Sequence, residues 1–157
     1  MKYRICVQFE VESGHMLLKH PGKCRFPHGH SRRIEVVLSS PTLDANDMVC
    51  DFKAIKVAVG DFIQSFDHAM ALNSADPMLR SLEPMGERLL VFEGQDPTTE
   101  VMARRIYDHL KGAIEAAREF SLRDRDGRSY VYALPRGLEV ERVRVGETST
   151  TWAEYGH

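Results

Sequence analysis

The chain has 157 residues, 43% hydrophobic and 28% charged, which suits one domain with a sizeable core. Its 21 Lys and Arg against 23 Asp and Glu give a formal net charge of −2, and the basic residues are spread along the chain, so no field points to nucleic acid or a membrane surface. No run approaches the ~20 apolar residues of a membrane span. Met1–Arg4 leads into an alternating segment without a signal-peptide core. Cys6, Cys24 and Cys50 form no disulfide framework. A cytosolic protein with free thiols is the expectation.

Residues 3–13 alternate, with Tyr3, Ile5, Val7, Phe9 and Val11 on one face, and predict a half-buried strand. The same parity reaches Ser13 and His15, which puts His15 at the strand's end on the core side. Alone, such a histidine is equally a core residue satisfied by a hydrogen bond. Residues 16–27 read as a loop with Pro21, Gly22 and Pro27, in which His20 is solvated. The stretch Cys24-Arg25-Phe26-Pro27-His28-Gly29-His30 closes it. Side chains two apart in a strand share a face, so His28 and His30 can grip one metal ion. Gly29 lets the backbone approach closely, and Cys24 is near enough to overhang the same site. A second strand over 28–39 places His28 and His30 on the face of Ile34, Val36 and Leu38. If the two strands pair antiparallel, His15, His28 and His30 converge. Three imidazoles with a fourth position open are the arrangement of a catalytic zinc.

Pro41–Asp47 is turn-rich. Asp51 is an N-cap candidate for a helix whose stripe is Phe52, Ile55, Val59, Phe62 and Phe66. It ends near Asp67-His68, which reads either as a surface pair or as a proton-handling pair. Residues 74–96 are irregular apart from a short strand at 88–92. Asp96-Pro97-Thr98-Thr99-Glu100 starts a second helix, with Asp96 capping and Ala103, Ile106, Leu110, Ala113 and Ala117 buried. Residues 121–130 form a charged, exposed loop. A final strand over 138–146 aligns Glu147 with Val143 and Val145, so Glu147 is either a solvent-facing strand end or a ligand anchor. Strands first and helices after predict one α+β domain over 1–157, with an antiparallel sheet and two helices on one face. The other face would need another subunit.

These residues resemble a known family, the 6-pyruvoyltetrahydropterin and 6-carboxytetrahydropterin synthases. Five signals occur in that family's order: His15 after the first strand; Cys24-x3-His28-Gly29-His30; Met48-Val49-Cys50-Asp51-Phe52; Asp67-His68 with Leu72-Asn73; and Pro97-Thr98-Thr99-Glu100 with Glu147-Thr148 later. The short gap between Cys24 and His28 is similar to the bacterial carboxy-forming branch. The resemblance implies a tunnelling fold whose subunits join into a barrel, often a hexamer made of two trimers. It implies zinc on His15, His28 and His30. Cys24 would be the catalytic base, assisted by Asp67 and His68 from a neighbouring subunit. Glu147 would hold the pterin ring, with Thr98, Thr99 and Glu100 nearby. The implied substrate is 7,8-dihydroneopterin triphosphate, and the implied products are 6-carboxytetrahydropterin, a queuosine-type precursor, with acetaldehyde and triphosphate.

The sequence departs from the pattern at Arg32 and Arg33, where the family has an aromatic residue, at Val101 in place of Asn, and at Asp47 in place of Gly. Segments 74–96 and 120–137 are longer than in typical bacterial members. These departures bear on substrate and product more than on the metal. A pyruvoyl-forming synthase or another pterin side-chain lyase is the alternative among enzymes. A zinc-stabilised pterin-binding module is the alternative outside them.

Overall fold

The computed structural model describes residues 1–157. Two long strands, β1 (Tyr3–His15) and β2 (His28–Ser40), form its backbone and pair antiparallel along their full length. Their register puts His15 opposite His28, and Ser13 opposite His30. The loop between them is shaped by a single helical turn over Lys23–Arg25.

Helix α1 (Phe52–Gln64) is capped by Asp51, whose carboxylate accepts the Lys53 N–H at 2.7 Å. Ala54, Ile55, Ala58, Val59 and Ile63 are buried on it. Phe52 is not part of that face: it is the first helical residue and is 52% exposed. Strand β3 (Ala69–Asn73) follows, then the short α2 (Leu79–Leu82) and strand β4 (Leu89–Phe92). Helix α3 (Thr99–Glu115) buries Met102, Ala103, Ile106, Tyr107, Leu110 and Ala113, whereas Ala117 lies beyond its end. Its cap is Thr98, whose hydroxyl accepts the Val101 N–H at 3.3 Å. Asp96 was expected in that role. Instead its carboxylate accepts Asn73 Nδ2 at 2.9 Å and Lys19 N–H at 2.7 Å, tying the loop after β1 to the loop before α3. Strands β5 (Glu119–Arg123), β6 (Ser129–Ala133), β7 (Glu139–Gly146) and β8 (Trp152–Gly156) complete the chain.

The main sheet has six strands in the order β4-β3-β1-β2-β7-β8. The α+β class holds, but the sheet is mixed, because β3 runs parallel to β1 and β4 runs parallel to β3. The expected charged loop at 121–130 is the tip of a separate two-stranded hairpin, β5-β6. Phe120 and Tyr132 face each other across it and pack on the core, while its turn is fixed by Asp124 Oδ1 accepting from Asp126 and Arg128.

One apolar core lies between the sheet and helices α1 and α3, with Ile34, Val36, Leu38, Val143 and Val145 supplying the sheet side. The opposite face is charged. Gln8 donates to Glu35 at 3.1 Å, Arg144 reaches Glu154 at 3.0 Å, and Arg4 reaches Glu141 at 2.6 Å. Such a face tolerates water, so its composition does not by itself demand a covering subunit. No helix is long and apolar enough to cross a membrane.

Candidate active site

Antiparallel pairing brings the three histidines to one end of the β1–β2 ladder. Ring centroids are 4.4 Å apart for His15 and His28, and 5.1 Å for His30 with either partner. One ligand nitrogen from each lies within 4.8 Å of the others. Two of the rings are oriented by backbone carbonyls: His15 Nδ1 contacts Pro97 O at 2.8 Å, and His28 Nδ1 contacts Phe26 O at 2.7 Å. A carbonyl only accepts, so each Nδ1 carries the proton and each Nε2 presents a lone pair. Nε2 of His28 and of His30 are buried without a hydrogen-bond partner. Orphaned imidazole nitrogens, that of His28 on a ring fixed through its Nδ1, fit a bound cation. Burial holds His15 down to about 4, with Arg32 and His28 adding to the effect, and the same causes lower His30. Both are therefore neutral at pH 7, the form a metal requires.

Glu147 follows the end of β7 beside this cluster. Its Oε1 is 3.6 Å from His30 Nε2, and its Oε2 accepts the Thr99 hydroxyl. Burial raises its pKa, but the Thr99 hydroxyl, Arg32, His15 and His30 outweigh burial and hold it below the usual carboxylate range. Thr99 is buried in the first turn of α3. Thr98 is occupied by capping, and Glu100 is exposed.

Cys24 is half-buried in the helical turn before β2, and its carbonyl accepts Leu17 N–H at 3.0 Å. Asp67 and His68 are hydrogen-bonded to each other, with His68 Nδ1 2.7 Å from Asp67 Oδ2. Asp67 Oδ1 accepts the Glu12 N–H at 2.8 Å, the main reason its pKa is lowered. His68 adopts a left-handed backbone with φ of 53°, and its N–H donates to Glu12 O at 2.6 Å. A cavity of about 390 Å³ is lined by Ser13, Gly14, His30, His68, Met70 and Met85 among others. His68 and His30 thus border one space, which Cys24 does not line.

Arg32 was legible only as a departure. It is 1% exposed, donating from Nε to Ser13 Oγ at 2.9 Å and from Nη1 to Thr99 Oγ1 at 3.0 Å and Gly146 O at 3.3 Å. Its parity with His30 and Ile34 was the signal, since a charge at a core position needs partners.

The match to the family model described as 6-pyruvoyl tetrahydropterin synthase runs over residues 4–157. The chain belongs to this family. It is similar to the 6-carboxy-5,6,7,8-tetrahydropterin synthase of Aquifex aeolicus, 31% identical over 174 residues, covering 99% of this chain and 98% of that protein. The protein of the same name from Rickettsia conorii is 31% identical over 109 residues, covering 68% of this chain and 76% of that one. Among solved structures, an uncharacterized protein of Wolinella succinogenes superposes with a TM-score of 0.77 at 20% identity, over 100% of this chain and 99% of that one. The 6-pyruvoyltetrahydropterin synthase of Plasmodium vivax gives 0.64 at 15% identity, over 99% and 97%. These likenesses show the tunnelling fold of the family.

Proposed function

We propose that this protein is a zinc-dependent lyase that converts 7,8-dihydroneopterin triphosphate to 6-carboxy-5,6,7,8-tetrahydropterin, releasing acetaldehyde and triphosphate. The observation that carries the reading is the pair of buried, partnerless Nε2 atoms on His28 and His30 beside the ionised Glu147. It supports a metal-ligand set next to a carboxylate whose Oε2 takes the Thr99 hydroxyl and whose Oε1 can accept an N–H from a 2-amino-pyrimidinone edge. The names of the full-length and partial relatives favour the carboxy-forming reaction over the pyruvoyl-forming one.

His15, His28 and His30 would hold the ion. Bound there, zinc supplies polarisation of side-chain hydroxyls and stabilisation of enolate-like charge. The protein's own groups do the rest. Glu147 fixes the ring, with Thr99 donating to its other oxygen. Cys24 removes a proton from a side-chain carbon, and the Asp67–His68 pair returns or relays one, with the imidazole oriented by the Asp67 carboxylate at its Nδ1. A homo-oligomer, in family fashion a hexamer made of two trimers, would pair the free edges of β4 and β8 and bring the Asp67–His68 pair of one subunit to Cys24 of another. The setting is cytoplasmic, in the supply of 7-deazapurine precursors.

Mass spectrometry after incubation with 7,8-dihydroneopterin triphosphate tests this. 6-Carboxytetrahydropterin with acetaldehyde is expected. 6-Pyruvoyltetrahydropterin would assign the other branch, and tight pterin binding without turnover would leave a binding module.

A further inference from the structure

Arg32 lies at the junction of the histidine cluster and the Thr99–Glu147 pair, yet at 1% exposure it cannot touch a ligand in the site. Its Nη2 is 3.3 Å and 3.4 Å from the two nitrogens of His15, so it lies across the ring and does not point at one lone pair. The directional bonds are the others. Nη1 occupies Thr99 Oγ1 as an acceptor at 3.0 Å. A hydroxyl has one proton, and with an Arg N–H already on its oxygen that proton is free to go only outward. The outward partner is Glu147 Oε2, which can only accept. The same Nη1 lies 3.9 Å from Oε2, so guanidinium and carboxylate also attract directly. Nε anchors to the buried Ser13, and Nη1 reaches the Gly146 carbonyl, one residue before Glu147. Arg32 thus grips both the strand end that carries Glu147 and the helix start that carries Thr99. Oε1 is left facing His30.

We propose that Arg32 is a positioning residue for ligand recognition: through Thr99 it pins Glu147 as a carboxylate with one oxygen committed, so that the other is presented to the N–H edge of an amidine-like ring such as a pterin. This rests on the pterin reading above. A forked donor is needed here, because only such a group spans Ser13, Thr99 and Gly146 at once.

The test uses the zinc-loaded protein and 6-methylpterin, a ring without a phosphorylated side chain, followed by its fluorescence. Arg32→Met should weaken pterin binding by roughly tenfold or more, the scale of losing a hydrogen bond to a charged group, with zinc content unchanged. Arg32→Lys should not restore it. In a Glu147→Gln background the same Arg32→Met change should cost less than about twofold, since the path ends at Glu147 and coupled pairs are non-additive. A purely structural role would give equal penalties in both backgrounds and would overturn the proposal. So would unchanged pterin affinity in Arg32→Met. If Arg32→Met gives no cooperative melt, Thr99→Val in the same two backgrounds interrupts the same chain, and full pterin affinity there overturns the proposal equally. No pterin binding by the unaltered protein would overturn the pterin reading and this role together. Binding by the unaltered protein with no loss in the variants overturns this role alone.

Discussion

His15 and His28 are directly opposite each other in the β1–β2 ladder, and each directs its Nδ1 to a backbone carbonyl, of Pro97 and Phe26 respectively. The geometry of the histidine cluster is therefore set by strand register and loop backbone together. A change in one ring should be felt in occupancy more than in fold.

The first expectation is zinc at close to one per chain in protein purified without chelators, read by elemental analysis. His28→Ala removes a ring whose Nε2 has no other partner, so the fold loses little while the site loses a ligand. Most of the metal should go, with a cooperative melt retained. Full zinc in His28→Ala would dismantle the tripod.

Part of this was legible from strand parity alone. His15, His28 and His30 could be assigned to one face because β1 and β2 are long, regular and free of bulges against each other. Strand β3 was not legible: Ala69-Met70-Ala71-Leu72-Asn73 has no β-branched residue, and it is a strand because β1 and β4 flank it. The β5–β6 hairpin was hidden by charges that its exposed positions tolerate. Strand β8 went unread because Trp152–Gly156 is short and carries an exposed Trp152 that Arg144 covers at 3.9 Å. Asp96 looked like a cap by sequence spacing, and only the fold reveals that Asn73 and Lys19 compete for it.

The second expectation separates base from ligand. Three histidines suffice for the ion, so Cys24→Ala should keep zinc and pterin binding but lose at least roughly 10²-fold in single-turnover rate, the usual scale for a positioned acid or base. Cys24→Ser should fare little better. Zinc lost from Cys24→Ala would make the thiol a ligand, and an unchanged rate would place the base elsewhere.

The third concerns Asp67. Its two oxygens hold the Glu12 N–H and His68 Nδ1, so it both fixes β1 to the start of β3 and orients the imidazole. Asp67→Asn and His68→Ala should each slow turnover without releasing metal. Because His68 is largely exposed, His68→Ala should leave the melting temperature nearly unchanged, whereas Asp67→Asn should lower it slightly. Zinc loss in either variant would contradict the division of roles.

The fourth is assembly. Strands β4 and β8 are the two free edges of the sheet, and β8 leaves Trp152 and Tyr155 exposed at 53% and 40%. Edges of this kind pair with other chains unless they are covered. Light scattering should give a mass of about six chains, and Glu154→Pro on β8, whose pairing with Arg144 leaves its backbone N–H on the free edge, should reduce it. A stable monomer at micromolar concentration would count against the barrel.

The last is pH dependence in the metal-free protein. His15 is fully buried and is held at about 4, against an ordinary 6.5 in the unfolded chain. Between those values the unfolded chain binds a proton that the folded chain does not, so stability falls as pH drops from 6.5 towards 4 and recovers as pH rises. The size of the shift bounds the loss at about 3 kcal/mol. The lowered carboxylates, Asp67 and Glu147 among them, work in the same direction but over a lower range: their stabilisation is complete above the ordinary carboxylate pKa and is lost only below it. Urea midpoints of chelator-treated protein should therefore decline already between pH 7 and 5, above the range in which the lowered carboxylates titrate. His15→Gln, which has no such proton to bind, should reduce that first limb, with His30, lowered by the same causes, supplying what is left, and should leave the second. A flat midpoint from pH 7 to 5 in the unaltered protein would mean that His15 takes up its proton in the folded state, and that the site is not preset for a cation.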